Sequence, residues 1–180
     1  MKNKLHAGEI SYIALGTALI CVCAWLSIPF TVPITMQSFA VCLLAALLGL
    51  RSGLWAVSLY ILLGAAGLPV FSLFRGGLGV LFGAGGGYIF GFVLIAVTVG
   101  LAAERYGRKM PVLLASMSVG MLLCYGLGTL WYALVYTQDE TSIKAILGLY
   151  VLPFVFPDAV KIFMAAILAK RLYPFIKVRN

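Results

Sequence analysis

The sequence predicts an all-α integral membrane protein of six transmembrane helices, with both termini cytoplasmic and long outer loops. Three observations carry that prediction. The 180 residues are 63% hydrophobic and only 10% charged, whereas a soluble domain has about a quarter charged and about half apolar residues. Mean hydropathy is +1.10. The basic residues sit at the ends of apolar runs, where they report topology. Clustered, a net charge of +8 would suggest a nucleic-acid partner; distributed this way, it does not. The length allows a single transmembrane domain, residues 1–180, because each span needs ~20 residues.

Segment one runs from about Ile10 to Ile28 and stops at Pro29-Phe30-Thr31-Val32-Pro33, where two prolines forbid a continuing helix. Lys2 and Lys4 ahead of it resemble a signal peptide. The run is long for one, however, and Pro29-Phe30 replaces a small-residue cleavage site, so a retained helix is expected. Segment two (about Gln37 to Leu50) and segment three (about Leu54 to Gly67) are divided by Arg51-Ser52-Gly53. Both are short for a ~30 Å hydrocarbon slab at ~1.5 Å per residue, so sheltered backbone should flank them. Segment four covers about Gly87 to Ala103 and segment five about Pro111 to Tyr136. Segment six covers about Ile146 to Leu172, with Pro153 and Pro157 interrupting its first half.

A cytoplasmic N-terminus places Lys2, Lys4, Arg51, Arg105, Arg108, Lys109, Lys170, Arg171, Lys177 and Arg179 inside. Only Arg75 and Lys144 fall outside. That asymmetry fixes the orientation and favours an even number of spans. It also puts the Pro29–Met36 loop, the Pro69–Gly86 loop and the start of segment six together at the outer surface.

Asp158 and Lys161 are opposite charges inside the sixth apolar segment. Burying charge in lipid is costly, so such residues face a cavity or each other. Three residues apart on a helix, they share a face and offer an acceptor beside a cation. Such a surface suits a small polar ligand with an anionic end; the plainer alternative is a neutralised pair that holds two helices together. The Pro69–Gly86 loop is apolar yet irregular, which membrane depth tolerates only under cover of protein or a cavity. Seven glycines from Gly76 to Gly87, including Gly76 and Gly77, let its backbone approach a ligand closely. Arg75 in this loop is a candidate for a carboxylate and equally a snorkelling interfacial residue. Gln37 opens segment two with an amide that both donates and accepts, or it faces headgroups. Tyr88, Trp131, Tyr132, Tyr136 and Tyr150 belong to the outer side as interfacial belt, or as walls for an apolar ring.

Small residues four apart allow close helix approach: Ala14 and Ala18, Ala45 and Gly49, Gly87 and Gly91. Ala14 and Ala18, near Ser11, form the best docking stripe for another membrane subunit. The cysteines Cys21, Cys23, Cys42 and Cys124 lie in apolar runs without metal-ligand spacing and read as reduced core thiols. The single histidine, His6, is in the tail, and no serine stands beside Lys161, so an enzyme is not expected. The glycine run contains no Gly-x-x-x-x-Gly-Lys-Ser/Thr and no Gly-x-Gly-x-x-Gly, so the chain carries no visible ATP-hydrolysing apparatus. No cofactor is expected.

Several stretches together resemble one family. They are Ile28-Pro29-Phe30 with Val32-Pro33-Ile34-Thr35-Met36-Gln37-Ser38-Phe39, then Tyr60–Gly64 with Gly67-Leu68-Pro69-Val70-Phe71. Gly76–Gly83, Gly86–Phe92 and Pro157-Asp158-Ala159-Val160-Lys161 complete the set. The chain is similar to the BioY family, the biotin-specific substrate-binding subunits of energy-coupling-factor vitamin transporters. One departure is Gly83-Ala84-Gly85-Gly86-Gly87-Tyr88 where the family usually has Gly-Pro-Thr-Gly-Gly-Tyr. The resemblance implies a six-helix substrate-binding domain in the cell membrane that captures biotin from outside. Its partners would be a transmembrane coupling subunit, contacted through the small residues of helix one, and two cytoplasmic ATPases. It also implies a ligand whose ureido head suits Asp158 and Gln37 and whose carboxylate suits Lys161 or Arg75, with Tyr88 and Trp131 as apolar wall. Capture of another vitamin, or a membrane scaffold without a small-molecule site, would use the same architecture.

Overall fold

The computed structural model describes residues 6–29, 33–136, 148 and 151–176. Lys2, Lys4, Lys144, Tyr150, Lys177, Arg179 and the predicted start of segment six at Ile146 lie outside the described residues. Helix α1 (Ala7–Trp25) is followed by two short strands, β1 (Ser27–Ile28) and β2 (Ile34–Thr35), and by α2 (Gln37–Ala65). After them come a 3-10 turn (Ser72–Phe74), α3 (Leu78–Leu81), α4 (Gly86–Tyr106) and α5 (Met110–Trp131). Helix α6 (Leu152–Leu172) completes the bundle. Among the described residues, five helices are long and apolar enough to cross a membrane. The protein is a multi-pass, mostly helical membrane protein.

Helix α2 is the centre of the bundle, packing against α1, α4 and α6, and it reverses on itself. Gly49 has φ 80° and ψ −174°, a region essentially reserved for glycine. Beyond it the chain runs back: a Cβ on Gly53 would stand 3.1 Å from the Cα of Ala45, and the amide of Gln37 donates to the hydroxyl of Tyr60. The arms 37–48 and 50–65 therefore pair antiparallel, reaching about 18 and 24 Å. Segments two and three correspond to these arms, but the turn is at Gly49 and not at Arg51-Ser52-Gly53. The reason is local. Ser52 is buried in the second arm, donating to Glu9 at 2.9 Å, and Gly53 provides the close crossing. The Ala45–Gly49 pair is likewise no helix stripe, since Gly49 is the turn itself.

Carboxylate and guanidinium groups complete the reversal. Glu104 Oε1 accepts the Leu50 N–H at 2.7 Å, and Arg108 Nε donates to the Ala46 carbonyl at 2.7 Å. The same guanidinium lies 3.6 Å over the ring of Tyr173. Together with the Glu9–Ser52 bond, these contacts bring the start of α1, the Gly49 turn, the α4–α5 connection and the end of α6 to one end of the bundle.

At the opposite end, the connection after α1 is an antiparallel strand pair, Ser27 to Thr35 and Ile28 to Ile34, where the sequence predicted only a proline-bounded loop. The Pro69–Gly86 loop holds the 3-10 turn and α3, and it is tied back by Phe71 N–H to the Arg75 carbonyl at 2.9 Å and by Gly77 N–H to the Gly64 carbonyl at 2.7 Å. Gly87 and Gly91 allow close contact between α4 and α5: a Cβ on Gly91 would fall 2.6 Å from the Cys124 sulfur. Pro153 occupies the first turn of α6, where its missing N–H costs nothing, and so starts that helix. Pro157 lies within it. Phe154, Asp158, Lys161, Ile162, Ala165, Ala166 and Ala169 form its buried face, a helical period that sets both charges toward the interior.

Candidate functional site

A cavity of about 450 Å³ opens between α2, α4, α5, α6 and the Pro69–Gly86 loop, within the usual range for small-molecule sites. Helix α6 supplies Asp158 and Lys161, 5% and 6% exposed. Their ion pair is 2.7 Å long, and Lys161 Nζ also reaches Ser38 Oγ at 3.5 Å. Ser38 donates to Asp158 Oδ1 at 3.0 Å, and Tyr125 donates to Oδ2 at 2.5 Å. The pair is thus held by α2 and α5 as well as by its own helix.

Donor and acceptor arithmetic shows what remains available. A carboxylate has about four acceptor directions and an ammonium three donors. Among the described residues, three of the Asp158 directions are taken, leaving one on Oδ2. Lys161 gives two of its three N–H groups to Asp158 and Ser38. One acceptor and one donor therefore remain on a pair of residues that both line the cavity. Gln37, first in α2, accepts from Thr35 Oγ1 at 2.7 Å and donates to Tyr60. By the same count one amide N–H and one carbonyl lone pair remain.

The loop builds another wall. Ser72, Arg75, Gly79, Val80 and Gly83–Gly85 line the cavity, and Arg75 and Gly79 are exposed, so this wall reaches the surface. The Arg75 guanidinium meets no carboxylate among the described residues; its Nε lies 3.5 Å from the Ser72 carbonyl. Tyr88, Ile89, Phe92, Met121 and Phe154 supply apolar surface.

Of the residues singled out from sequence, Asp158, Lys161, Arg75, Gln37 and Tyr88 line this one cavity, and Trp131, Gly76 and Gly77 do not. Trp131 stands behind the loop, its indole N–H donating to the Gly83 carbonyl at 3.2 Å. Gly77 has φ 92° and donates to the Gly64 carbonyl at 2.7 Å, and a Cβ on Gly76 would strike the Leu68 carbonyl. Ala14 and Ala18 are exposed on α1, far along the chain from the cavity lining. All four cysteines are free and buried.

The BioY family model matches residues 1–178. The chain belongs to the BioY family. It is 45% identical to the biotin transporter BioY of Thermotoga maritima over 96% of both chains. It is 38% identical to biotin transporter BioY2 of Lactococcus lactis, covering 93% of this chain and 90% of that one. Among solved structures it is similar to the S-component for biotin from an ECF-type ABC transporter. That match has a TM-score of 0.86 and 23% identity, and covers 97% of this chain and 95% of the other. At that identity the likeness establishes the fold.

Sequence reasoning missed Ser38, Tyr125, Tyr60 and Thr35, the residues that orient Asp158 and Gln37. A signal existed for two of them. Tyr60 and Tyr125 are tyrosines in the middle of apolar segments, away from any interfacial belt, and a buried hydroxyl needs a partner. Ser38 gives no such signal, because its partner is 120 residues away.

Proposed function

We propose that this chain captures biotin from outside the cell, as the substrate-binding subunit of an energy-coupling-factor transporter in the cell membrane. The observation that carries the reading is the buried Asp158–Lys161 pair, held by Ser38 and Tyr125 against a ligand-sized cavity. Biotin has a ureido head with N–H donors flanking a carbonyl, an apolar bicycle and a valerate carboxylate. The free acceptor on Asp158 and the free donor on Lys161 match adjacent N–H and C=O groups. With Lys161 engaged this way, Arg75 is the cation for the carboxylate, and Gln37 completes the polar head site. Tyr88 forms apolar wall, while Trp131, Gly76 and Gly77 support the loop. The named relatives, which are biotin transporters, favour this ligand over other vitamins.

The two arms of α2 count as separate spans, giving six, with both termini cytoplasmic and the cavity at the outer end. Arg51, Arg105, Arg108 and Lys109 lie by the Gly49 turn and the α4–α5 connection, the end that the basic-residue bias assigns to the cytoplasm. The whole chain, 1–180, acts as one substrate-binding domain. Ala14 and Ala18 dock a transmembrane coupling subunit, and two cytoplasmic ATPases supply the energy.

Radiolabelled biotin binding to the purified chain tests the site, with Asp158→Asn, Lys161→Met, Arg75→Gln and Gln37→Ala compared in turn. Biotin is expected to bind the wild type and to lose affinity in each variant. Unchanged binding in all four would reject the site; no binding by the folded wild type would reject the ligand.

A further inference from the structure

The turn that carries Arg75 is folded against its own backbone preference. Leu73 and Phe74 both lie in the left-handed region, with φ of 58° and 55°, where the Cβ of a non-glycine residue is crowded. Two bulky residues in succession persist there only if their surroundings hold them. Phe71 anchors the near side. It is fully buried, meets Tyr60 edge-on at 5.4 Å, and fills the space that Gly64 leaves open on α2. Its N–H donates to the Arg75 carbonyl at 2.9 Å and closes the turn.

The other anchor is Trp25, at the end of α1. Its ring stacks on Phe74 with centroids 5.1 Å apart and planes 24° from parallel. Its indole N–H donates to the Pro69 carbonyl at 2.9 Å. One side chain therefore grips the segment at Pro69, ahead of the turn, and at Phe74, the last residue of it. Trp25 does not line the cavity, yet it touches the residue next to Arg75. Among the described residues the Arg75 side chain has only the long contact to Ser72 to direct it, so its place in the wall depends on the backbone beneath it.

We infer that Trp25 is a positioning residue: by clamping Phe74 and Pro69 it keeps the Arg75 guanidinium at the cavity wall for the anionic end of the ligand. This rests on the biotin reading, with the carboxylate at Arg75. Without Trp25, Leu73 and Phe74 relax toward negative φ and Arg75 turns away, while the Asp158 and Gln37 end is untouched. A merely structural role would weaken every ligand alike.

Biotin and biotin methyl ester, which lacks the negative charge, separate the two. Both are measured by equilibrium binding to the purified full chain as wild type, Trp25→Ala, Trp25→Phe, Arg75→Gln and the Trp25→Ala/Arg75→Gln double variant. Trp25→Ala should weaken biotin about 10-fold, the scale of a charge-assisted hydrogen bond, and the ester no more than about 2-fold. Trp25→Phe keeps the stack without the N–H and should fall between wild type and Trp25→Ala. In the Arg75→Gln background, Trp25→Ala should add nothing, because both changes remove one interaction. Equal loss for both ligands, no loss for either, or additive losses in the double variant would overturn the inference alone. A folded wild type that binds neither ligand would overturn the biotin reading and this inference with it.

Discussion

At the Gly49 end of the bundle, Glu104 and Arg108 are tied to main-chain groups of α2, one accepting from Leu50 and the other donating to Ala46. At the cavity end, Asp158 and Lys161 are tied to side chains: each other, Ser38 and Tyr125. The first arrangement completes a helix reversal whose backbone groups would otherwise lack partners. The second leaves one acceptor and one donor over, beside a void. The difference teaches where charge in an apolar bundle belongs to the fold and where it is available for recognition. What decides is whether the remaining hydrogen-bonding capacity faces protein or space.

The largest effect should come from Asp158→Asn. It leaves the Lys161 ammonium buried without its anion, and truncating one partner of such a pair costs several kcal/mol in comparable interfaces. Biotin affinity is expected to fall about 100-fold or more in equilibrium binding. The matched change at the other end, Glu104→Gln, should leave affinity within about 2-fold, because it takes only the charge from one hydrogen bond at the opposite end of the bundle. Equal losses in the two variants would break the comparison.

Gly49→Ala tests the fold end directly. A side chain is strained at that φ and ψ, and its Cβ would stand 2.4 Å from Glu104 Oε1. Unfolding free energy should drop by about 1–3 kcal/mol, read as a lower melting temperature in detergent. Binding per folded molecule should stay unchanged. A variant with wild-type stability would show that the reversal does not depend on Gly49.

How much of this was legible in the sequence follows the same division. The charges of α6 are conspicuous because lipid-facing helices exclude them, and their spacing sets them on one face; hence Asp158 and Lys161 could be chosen in advance. Arg75 and Gln37 were legible for the same reason, as isolated polar groups beside apolar runs. The Gly49 turn was not, because Arg51-Ser52-Gly53 carries the stronger local polarity and only the tertiary partners of Ser52 and Gly53 draw those residues into a helix. The strand pair after α1 was hidden for another reason: two-residue strands bounded by proline leave no alternating pattern to read. Ser38 was hidden because a hydrogen bond spanning 120 residues has no local trace; Tyr125 was legible as a buried hydroxyl in need of a partner, but its partner Asp158, 33 residues on, was not.

Tyr125→Phe gives a smaller effect that sharpens the role of the surrounding hydroxyls. It removes one of three donors to Asp158 and keeps the ring in place. One neutral donor to a charged acceptor is worth about 1.5–3 kcal/mol at most, and water reaching the cavity replaces part of it. A loss of about 5-fold in biotin affinity is expected, well short of Asp158→Asn. A loss as large as that of Asp158→Asn would mean that Tyr125 touches the ligand itself.

The smallest effect is at Gly85, and its interest is the sign. Gly85 lines the cavity, and a Cβ there would meet nothing within 4 Å. Its φ of −87° and ψ of −6° suit any residue. Its neighbours differ: a Cβ on Gly86 would strike the Leu81 carbonyl at 1.6 Å, and one on Gly87 the Trp131 Cβ at 2.2 Å. Of Gly85, Gly86 and Gly87, Gly85 is therefore the one that backbone geometry does not require. It is also the N-cap of α4, where threonine performs about as well as glycine and alanine worse. Gly85→Thr should leave the melting temperature within about a degree, since the exchange is worth only a few tenths of a kcal/mol. The new side chain takes cavity volume, so elongated biotin analogues should lose affinity while biotin itself changes by no more than about 3-fold, the scale of a buried methylene. A drop in stability with no change in ligand range would place Gly85 with Gly49, on the side of the fold.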